Sequence, residues 1–410
     1  MRMKYSQSNI LIILLICMIF MSSAPISAAD SILESEIEIS ADGKLSNEAL
    51  KLTDWDISNS GDELIMVGDS GDVWLIPTNN PENANLIQNP YDENLFDVSW
   101  HPGGNSVLMV GDNGTVLRYS DGEIKKPLET VNLYGESIRA IDWVPSGQVA
   151  YVGGENGSLY SYKNNTFTNL DISWDDEISG IACHVEVDFC VVISRSDGIG
   201  VIDRDGIFHD IGLIGRVWID AICPNGVSDR CVVVGAGRAI AVFEYDRVSP
   251  GNSKMIDYPT GSQISYVSDF GGEFRSLSTG YNNQVYIQVV PFGMVEFSVE
   301  NMQSYAWLIP EDVISASIEL SATTPLVSWE ERLRDGWIIS TDGSISKMSG
   351  KQLSGDVAGY LLVAAVAISV PGVILGLIYM SSDTLQNKYL GWRKRRRQGK
   401  NQKLGKKFKN

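Results

Sequence analysis

The side chains of this 410-residue chain that could do chemistry are few and scattered. Arg118, Arg139, Arg195, Arg216, Arg238 and Arg275 could clamp a carboxylate. Joined by a carboxylic acid and a tyrosine nucleophile, such arginines would make the set that cleaves acidic glycosides. No spacing among them singles out a trio. Serine chemistry lacks its usual frame, because no Gly-x-Ser-x-Gly turn occurs and the only histidines are His101, His184 and His209. His101 stands beside Pro102 in a turn, where a structural hydrogen bond is expected rather than proton transfer. No Gly-x-Gly-x-x-Gly fingerprint opens a helix, so no cofactor is expected. Asp69, Asp72 and Asp112 could touch calcium, yet one or two carboxylates per turn fall short of the roughly six to eight oxygens that ion takes, and no metal is expected.

The elements that must position these residues repeat about every 42 residues. Asp54 to Ile76, Phe96 to Tyr119 and Ile138 to Tyr162 each read as a short strand, a turn, an apolar strand ending in Gly, a tight turn and another strand. Taking the residue that closes the second strand as a ruler gives Gly68, Gly111, Gly153, Ser194, Gly235, Gly280 and Ser328, with steps of 43, 42, 41, 41, 45 and 48. Seven units of this length, with four short strands each, are the signature of a β-propeller, whose blades stack because a lone four-stranded sheet cannot bury both faces. Turns such as Ser70-Gly71, Asn113-Gly114, Asn156-Gly157, Asp197-Gly198 and Asn282-Asn283 fall at hairpin corners that require positive φ. Trp55, Trp100 and Trp143 recur in the first strands and are expected in the inter-blade core. Residues 30–51 contain the alternation Ile37-Glu38-Ile39 and are a candidate ring-closing strand.

Four cysteines remain once Cys17 is set aside with the N-terminal leader. Cys183 and Cys223 take the slot of Trp100 and Trp143, and Cys190 and Cys231 lie four residues before the ruler, so the leading connectivity is Cys183 to Cys190 and Cys223 to Cys231. Sequons occur at Asn113, Asn156 and Asn164; the first two sit in turns, which leaves Asn164 as the favoured glycan acceptor. The polar stretches Pro77 to Pro90 and Arg247 to Ser262 are the surface loops expected to meet partners.

The phrases Val67 to Ile76 (VGDSGDVWLI), Val110 to Gly122 (VGDNGTVLRYSDG) and Val152 to Tyr162 (VGGENGSLYSY) resemble the WD-repeat (WD40), YVTN and BNR-like propeller superfamily, nearest to its photosystem II assembly factor-like BNR members. The resemblance covers about three quarters of the chain in architecture and is strongest in the first three blades. No blade carries a full Asp-box, and the Gly-His and Trp-Asp pairs of WD repeats are absent except for Trp55-Asp56. It implies an extracytoplasmic or scaffold-type binding protein. The fold also hosts many unrelated roles, sialidases among them.

Both ends point to a membrane. Residues 1–29 have the basic start (Arg2, Lys4), apolar core and small-residue cleavage site of a signal peptide. Val357 to Met380 is a run of 24 residues without a charge, enough at ~1.5 Å per residue to span a ~30 Å hydrocarbon core. Residues 351–356 link it to the propeller. Residues 381–410 form a basic tail, including Arg393, Lys394, Arg395, Arg396 and Arg397, that the positive-inside rule keeps in the cytoplasm against anionic lipid headgroups. Setting aside Arg2, Lys4, the eleven basic residues of the tail and Asp383 leaves 19 basic and 50 acidic residues outside, a balance of −31, which excludes nucleic acid as a partner of the ectodomain. The expected architecture is therefore all-β, a seven-bladed β-propeller ectodomain at residues 52–350 with one C-terminal transmembrane α-helix. The expected role is an interaction or assembly module with protein partners on the extracytoplasmic side of the plasma membrane, single-pass and not an enzyme. The alternative is an ectoenzyme of the sialidase or glycosidase type acting on glycans.

Overall fold

The computed structural model describes residues 37–127, 133, 135–226, 229–258, 261–267, 271–280, 284–306, 324–332, 335–350 and 381–407, with the side chains of 37, 38 and 397–407 excepted. The signal segment 1–29, the linker 351–356, the apolar run 357–380 and the corner Asn282-Asn283 lie outside the described residues. Two units are distinguished, Met1–Lys351 and Gln352–Asn410.

The first unit consists of seven antiparallel sheets of four strands, the fifth carrying one additional short strand, Ser265–Tyr266. Their first strands are Leu52–Ile57, Leu95–Trp100, Ile138–Trp143, Ile178–Cys183, Trp218–Ile222, Glu273–Thr279 and Pro325–Arg332. In the first six blades the chain then runs through the sheet in order. The seventh borrows its fourth strand from the other end of the propeller: Ile37–Lys44 pairs antiparallel with Ser344–Gly350, from Ile37 opposite Gly350 to Lys44 opposite Ser344. The ring is thus fastened by both ends of the propeller sequence, and no blade is left with three strands.

Two-sided coverage explains why the second strands read as unbroken apolar runs. In Glu63–Gly68 alternate side chains point to opposite faces of the sheet. Leu64 and Met66 pack with Trp329, Trp337 and Ile339 of the seventh blade, whereas Ile65 and Val67 pack with Val98, Trp100 and Met109 of the second. All four are fully buried, each worth about 1.5–3 kcal/mol of apolar transfer.

Register corrects the ruler in three places. The residues paired with the inner-strand residue just before the register shift are Gly154 in blade 3, where Gly153 was expected, and Val289 and Ser340 in blades 6 and 7, in the ladder positions of Gly68 and Gly111. Gly280 follows the first strand of blade 6, and Ser328 lies within the first strand of blade 7. The later blades have lost the glycine that marked the position, so spacing alone slid onto the wrong strand while the count of seven survived. The tryptophans are also out of register: Trp55 lies opposite Met66, a position held in blades 2 and 3 by Val98 and Ile141, whereas Trp100 and Trp143 lie opposite Val107 and Ala150. All three nonetheless pack in inter-blade clusters.

Cys183 lies directly opposite Cys190 in its ladder, and the structure joins them, as it joins Cys223 to Cys231. The bridges span 7 and 8 residues of sequence, a length for which loop-closure entropy amounts to about 2.5 kcal/mol. Replacing Cys183 and Cys190 together by serine should lower unfolding free energy by roughly that amount, read from the denaturant midpoint at unchanged slope. An unchanged midpoint would show that the unfolded chain is not constrained by this bridge.

The second unit contains the helix α1, Asp383–Lys407. It carries the basic run, with the Arg396 guanidinium 4.9 Å from the centroid of the Trp392 ring. Among the described residues no helix is long and apolar enough to cross a membrane.

Candidate functional site

The first strand of each blade is innermost, so one backbone edge has no strand beside it within the sheet. Unpaired buried N–H groups are costly, and aspartates of the preceding blade satisfy them. The Val98 N–H donates to Asp54 Oδ2 at 3.1 Å, and the Trp100 N–H to Asp56 Oδ2 at 2.6 Å. The N–H groups of Ile141, Cys183 and Leu277 donate to Oδ2 of Asp97, Asp142 and Asp220, each at 2.7 Å. The second oxygen usually binds the next backbone N–H of its own strand, as Asp142 Oδ1 does with Trp143 at 2.8 Å, and Asp142 Oδ1 also accepts from Ser99 Oγ at 2.9 Å. Hydroxyls serve the free carbonyls in the same way: Thr53 donates to Leu95 O, Ser179 to Trp218 O and Ser276 to Leu326 O.

These five carboxylates are enclosed by protein yet keep a partial opening to solvent, and burial raises the pKa of each. Asp142 and Asp220 are pushed up to about 7, by burial first and by the Asp97 charge in the same direction, against the hydrogen bonds they accept. Asp56 stands well above the usual range for the same primary reason. Asp54 is raised most plainly as a pair with Asp97: burial, the Asp97 charge and the hydrogen bond between the two carboxyl groups all favour its protonated form, which makes Asp54 the donor. Arg275 is close enough to feel the Asp54 charge, which opposes the lowering of its pKa by burial. The arrangement can hold backbone donors and protons. The signal for it was present in the sequence as an Asp at the third or fifth place of aligned first strands, in Asp54, Asp56, Asp97, Asp142 and Asp220, and it went unread because acidic residues are so frequent in the chain.

The arginines flagged by residue type are not gathered at one point. Arg139 lies over the Phe96 ring at 3.8 Å and pairs with Glu155 and Glu177 at 3.6 and 3.8 Å. Arg195 shares Glu177 at 2.8 Å. Arg216 sits over Tyr266, 5.4 Å from the ring centroid, and Arg118 donates to Ser106 Oγ at 3.3 Å. Arg238 occupies a turn position with φ 61°. Among the described ion pairs, no carboxylate joins three arginines.

The histidines are held structurally. His101 Nε2 bonds Gly147 O at 2.9 Å while Nδ1 accepts the Gly103 N–H, and its ring meets Trp143 edge to face. His184 is fully buried, stacked on Phe189. His209 Nε2 meets Asp203 Oδ2 at 2.8 Å; burial works against the Asp203 carboxylate, but His209 and the N–H groups of Ile207 and Asp205 hold its pKa below the usual value. Asp112 accepts from Asn94 and Ser137, and Asp69 pairs with Lys51 at 2.6 Å, so both serve the turns between blades. Burial raises the pKa of Asp72. Asn113 and Asn164 lie in exposed turns at φ 55° and 50°, and Asn156 is exposed in another, so a turn setting does not set Asn164 apart. The stretches 77–90 and 247–262 carry the fourth strands Asn85–Leu86 and Lys254–Met255 and are in good part structural.

No family model matches the chain, and no curated protein does. Among solved structures it is similar to a catalytically inactive virginiamycin B lyase from Staphylococcus aureus with quinupristin, at TM-score 0.57 and 11% identity over 76% of this chain and 99% of that one. It is also similar to YCF48 from Cyanidioschyzon merolae, at TM-score 0.55 and 13% identity over 77% and 100%. A third is YCF48 bound to D1 peptide, at TM-score 0.53 and 13% identity over 77% and 97%. These likenesses extend over nearly the full length of each neighbour and agree with the sheet topology: the chain is a seven-bladed β-propeller, and it shares that fold with a lyase and with a peptide-bound protein alike.

Proposed function

We propose that this propeller is a protein-interaction or assembly module, displayed outside the plasma membrane and tethered by residues 357–380, with the basic tail inside. The observation that carries the reading is the use made of the polar side chains at the ring's centre and rim. Asp54, Asp56, Asp97, Asp142 and Asp220 hold neighbouring blades together, and Arg139 and Arg195 are neutralised on Glu177. The chain so built is a rigid frame with seven sets of turns, which suits display and recognition. That one solved neighbour is bound to a D1 peptide fits a peptide-binding use of the fold. The two disulfides fit an oxidising compartment, and the uncharged run 357–380 followed by the basic tail fits a single pass with the propeller outside.

The test is crosslinking in intact membranes, then affinity purification of the full chain and mass spectrometry, with a variant lacking residues 52–350 as control. Partners that recur with the full chain and vanish from the control are expected; identical recoveries from both would overturn the reading. Protease added to intact cells should cut the propeller and spare a tag at the C-terminus. Loss of the tag with the propeller intact would reverse the topology.

A further inference from the structure

Between blades 2 and 3 lies a pocket of about 390 Å³, lined among others by His101, Arg118, Trp143, Tyr162, Lys163 and Asn164. It differs in kind from its surroundings. Residues 30–356 carry 50 acidic residues against 19 basic ones, yet none of the residues lining this pocket is acidic. Arg118 and Lys163 are exposed, and among the described ion pairs neither meets a carboxylate, as is also true of Arg204, Arg216, Lys254, Arg332 and Lys347.

The walls are fixed. Arg118 is steadied by Ser106 Oγ at 3.3 Å, and the Tyr162 hydroxyl donates to Asn165 Oδ1 at 2.8 Å. Trp143 is braced by His101 at 4.7 Å and Tyr162 at 5.9 Å between ring centroids, both edge to face. Its indole N–H is buried with no acceptor. Tyr162 is only 3% exposed, whereas Trp143 and His101 are half-buried, so open ring surface in the pocket is confined to parts of those two rings. The pocket also offers a guanidinium, an ammonium and amide groups beside an apolar wall, and a guanidinium binds a carboxylate through two parallel hydrogen bonds.

We infer that this pocket receives a carboxylate, carried on an acidic side chain of a polypeptide partner, with Arg118 as its charge partner and Lys163 at the rim. The inference rests on the reading of the propeller as a protein-interaction module and names the chemistry of one contact. The net negative charge of the propeller slows the approach of an acidic partner. It does not prevent the contact, because screening at physiological salt acts within ~8 Å. It also gives the site selectivity, since a carboxylate is repelled by most of the remaining surface.

The test uses the full chain in detergent and two terminally blocked peptides, Ac-Gly-Glu-Gly-NH2 and Ac-Gly-Gln-Gly-NH2, followed by the shift of the Trp143 indole proton. Saturable binding of the glutamate peptide, at least tenfold weaker binding of the glutamine peptide, and a tenfold or greater loss in Arg118→Gln are expected. Ser106→Ala, which removes only the support of Arg118, should give a smaller loss. Equal binding of the two peptides, or an unaltered Arg118→Gln, overturns the inference. Tighter, Arg118-dependent binding of methyl glucuronide overturns the polypeptide source in favour of an acidic sugar. Partner capture from membranes separates the two readings. If wild-type chain captures partners and Arg118→Gln captures the same set, this pocket is refuted and the module stands. If wild-type chain captures none while the glutamate peptide binds, the module is refuted and the carboxylate site stands.

Discussion

Gly114→Ala should destabilise the protein by about 2–5 kcal/mol, a large share of the roughly 5–15 kcal/mol that holds a domain together. Gly114 sits at φ +68°, and a Cβ built there would stand 2.0 Å from the carbonyl oxygen and 2.5 Å from the carbonyl carbon of Leu133. Left-handed backbone costs an alanine about 1–2 kcal/mol, and forcing atoms into a filled space adds about 1–3. The obstructing atoms are backbone in the connection to blade 3, and the Gly114 N–H itself donates across that junction to Glu136 O at 2.6 Å. Neither side can give way without parting the two blades. Gly122 supplies the control: its φ is +80°, but nothing lies within 4 Å of an added Cβ, so Gly122→Ala should cost only about 1 kcal/mol. Denaturant unfolding of both variants decides the matter. Equal costs would mean that conformation alone, and not close approach between blades, keeps glycine at the turn.

That contrast shows what the sequence could and could not disclose. The Gly-containing corners were legible because Ser70-Gly71 and Asn113-Gly114 recur at one period, and positive φ is a property of single residues. The partner of each glycine was not legible: Gly71 faces Tyr91 O and Gly114 faces Leu133 O, contacts between a blade and the connection leaving it. The same division runs through the fold. Strands and disulfide pairs follow from local spacing, as Cys183 opposite Cys190 shows. Register in blades 6 and 7 does not, because Val289 and Ser340 stand where a glycine marked the earlier blades. Ring closure by Ile37–Lys44 joins residues some 300 apart, and only an unsatisfied sheet edge argued for it. The arginines, prominent by type, disperse into ion pairs. The central aspartates, inconspicuous by type, turn out to bind blade to blade, because the demand they meet is an unpaired backbone edge that a one-dimensional reading does not display.

Those aspartates yield the second large effect. Asp142→Ala removes the acceptor of the Cys183 and Trp143 N–H groups and of Ser99 Oγ. Leaving two enclosed N–H groups unpaired costs about 2–5 kcal/mol. The cost should depend on pH, and its sign follows from linkage. Burial raises Asp142 and Asp220 from 3.8 to about 7 in the folded state, so between those values the folded chain binds more protons than the unfolded one, and stability falls as pH rises. The contribution of each group is therefore complete below about pH 4 and is lost as pH climbs through about 7. Asp176, Asp203 and Asp246, whose pKa values are lowered, act in the opposite sense and lose their stabilisation as pH falls below the unfolded carboxylate range near ~4. Their opposition places maximum stability well on the acid side of neutrality, at roughly pH 4 where the two slopes meet. In Asp142→Ala the decline from that maximum toward pH 8 should be shallower than in the wild type, so the substitution costs more at pH 5 than at pH 8. Asp142→Asn keeps an acceptor but cannot titrate, and should share the shallower slope at a smaller cost. Unfolding curves at pH 5, 6.5 and 8 measure all three proteins. A wild-type slope retained in both variants would show that Asp142 is ionised throughout, held by its hydrogen bonds against the burial that otherwise raises it.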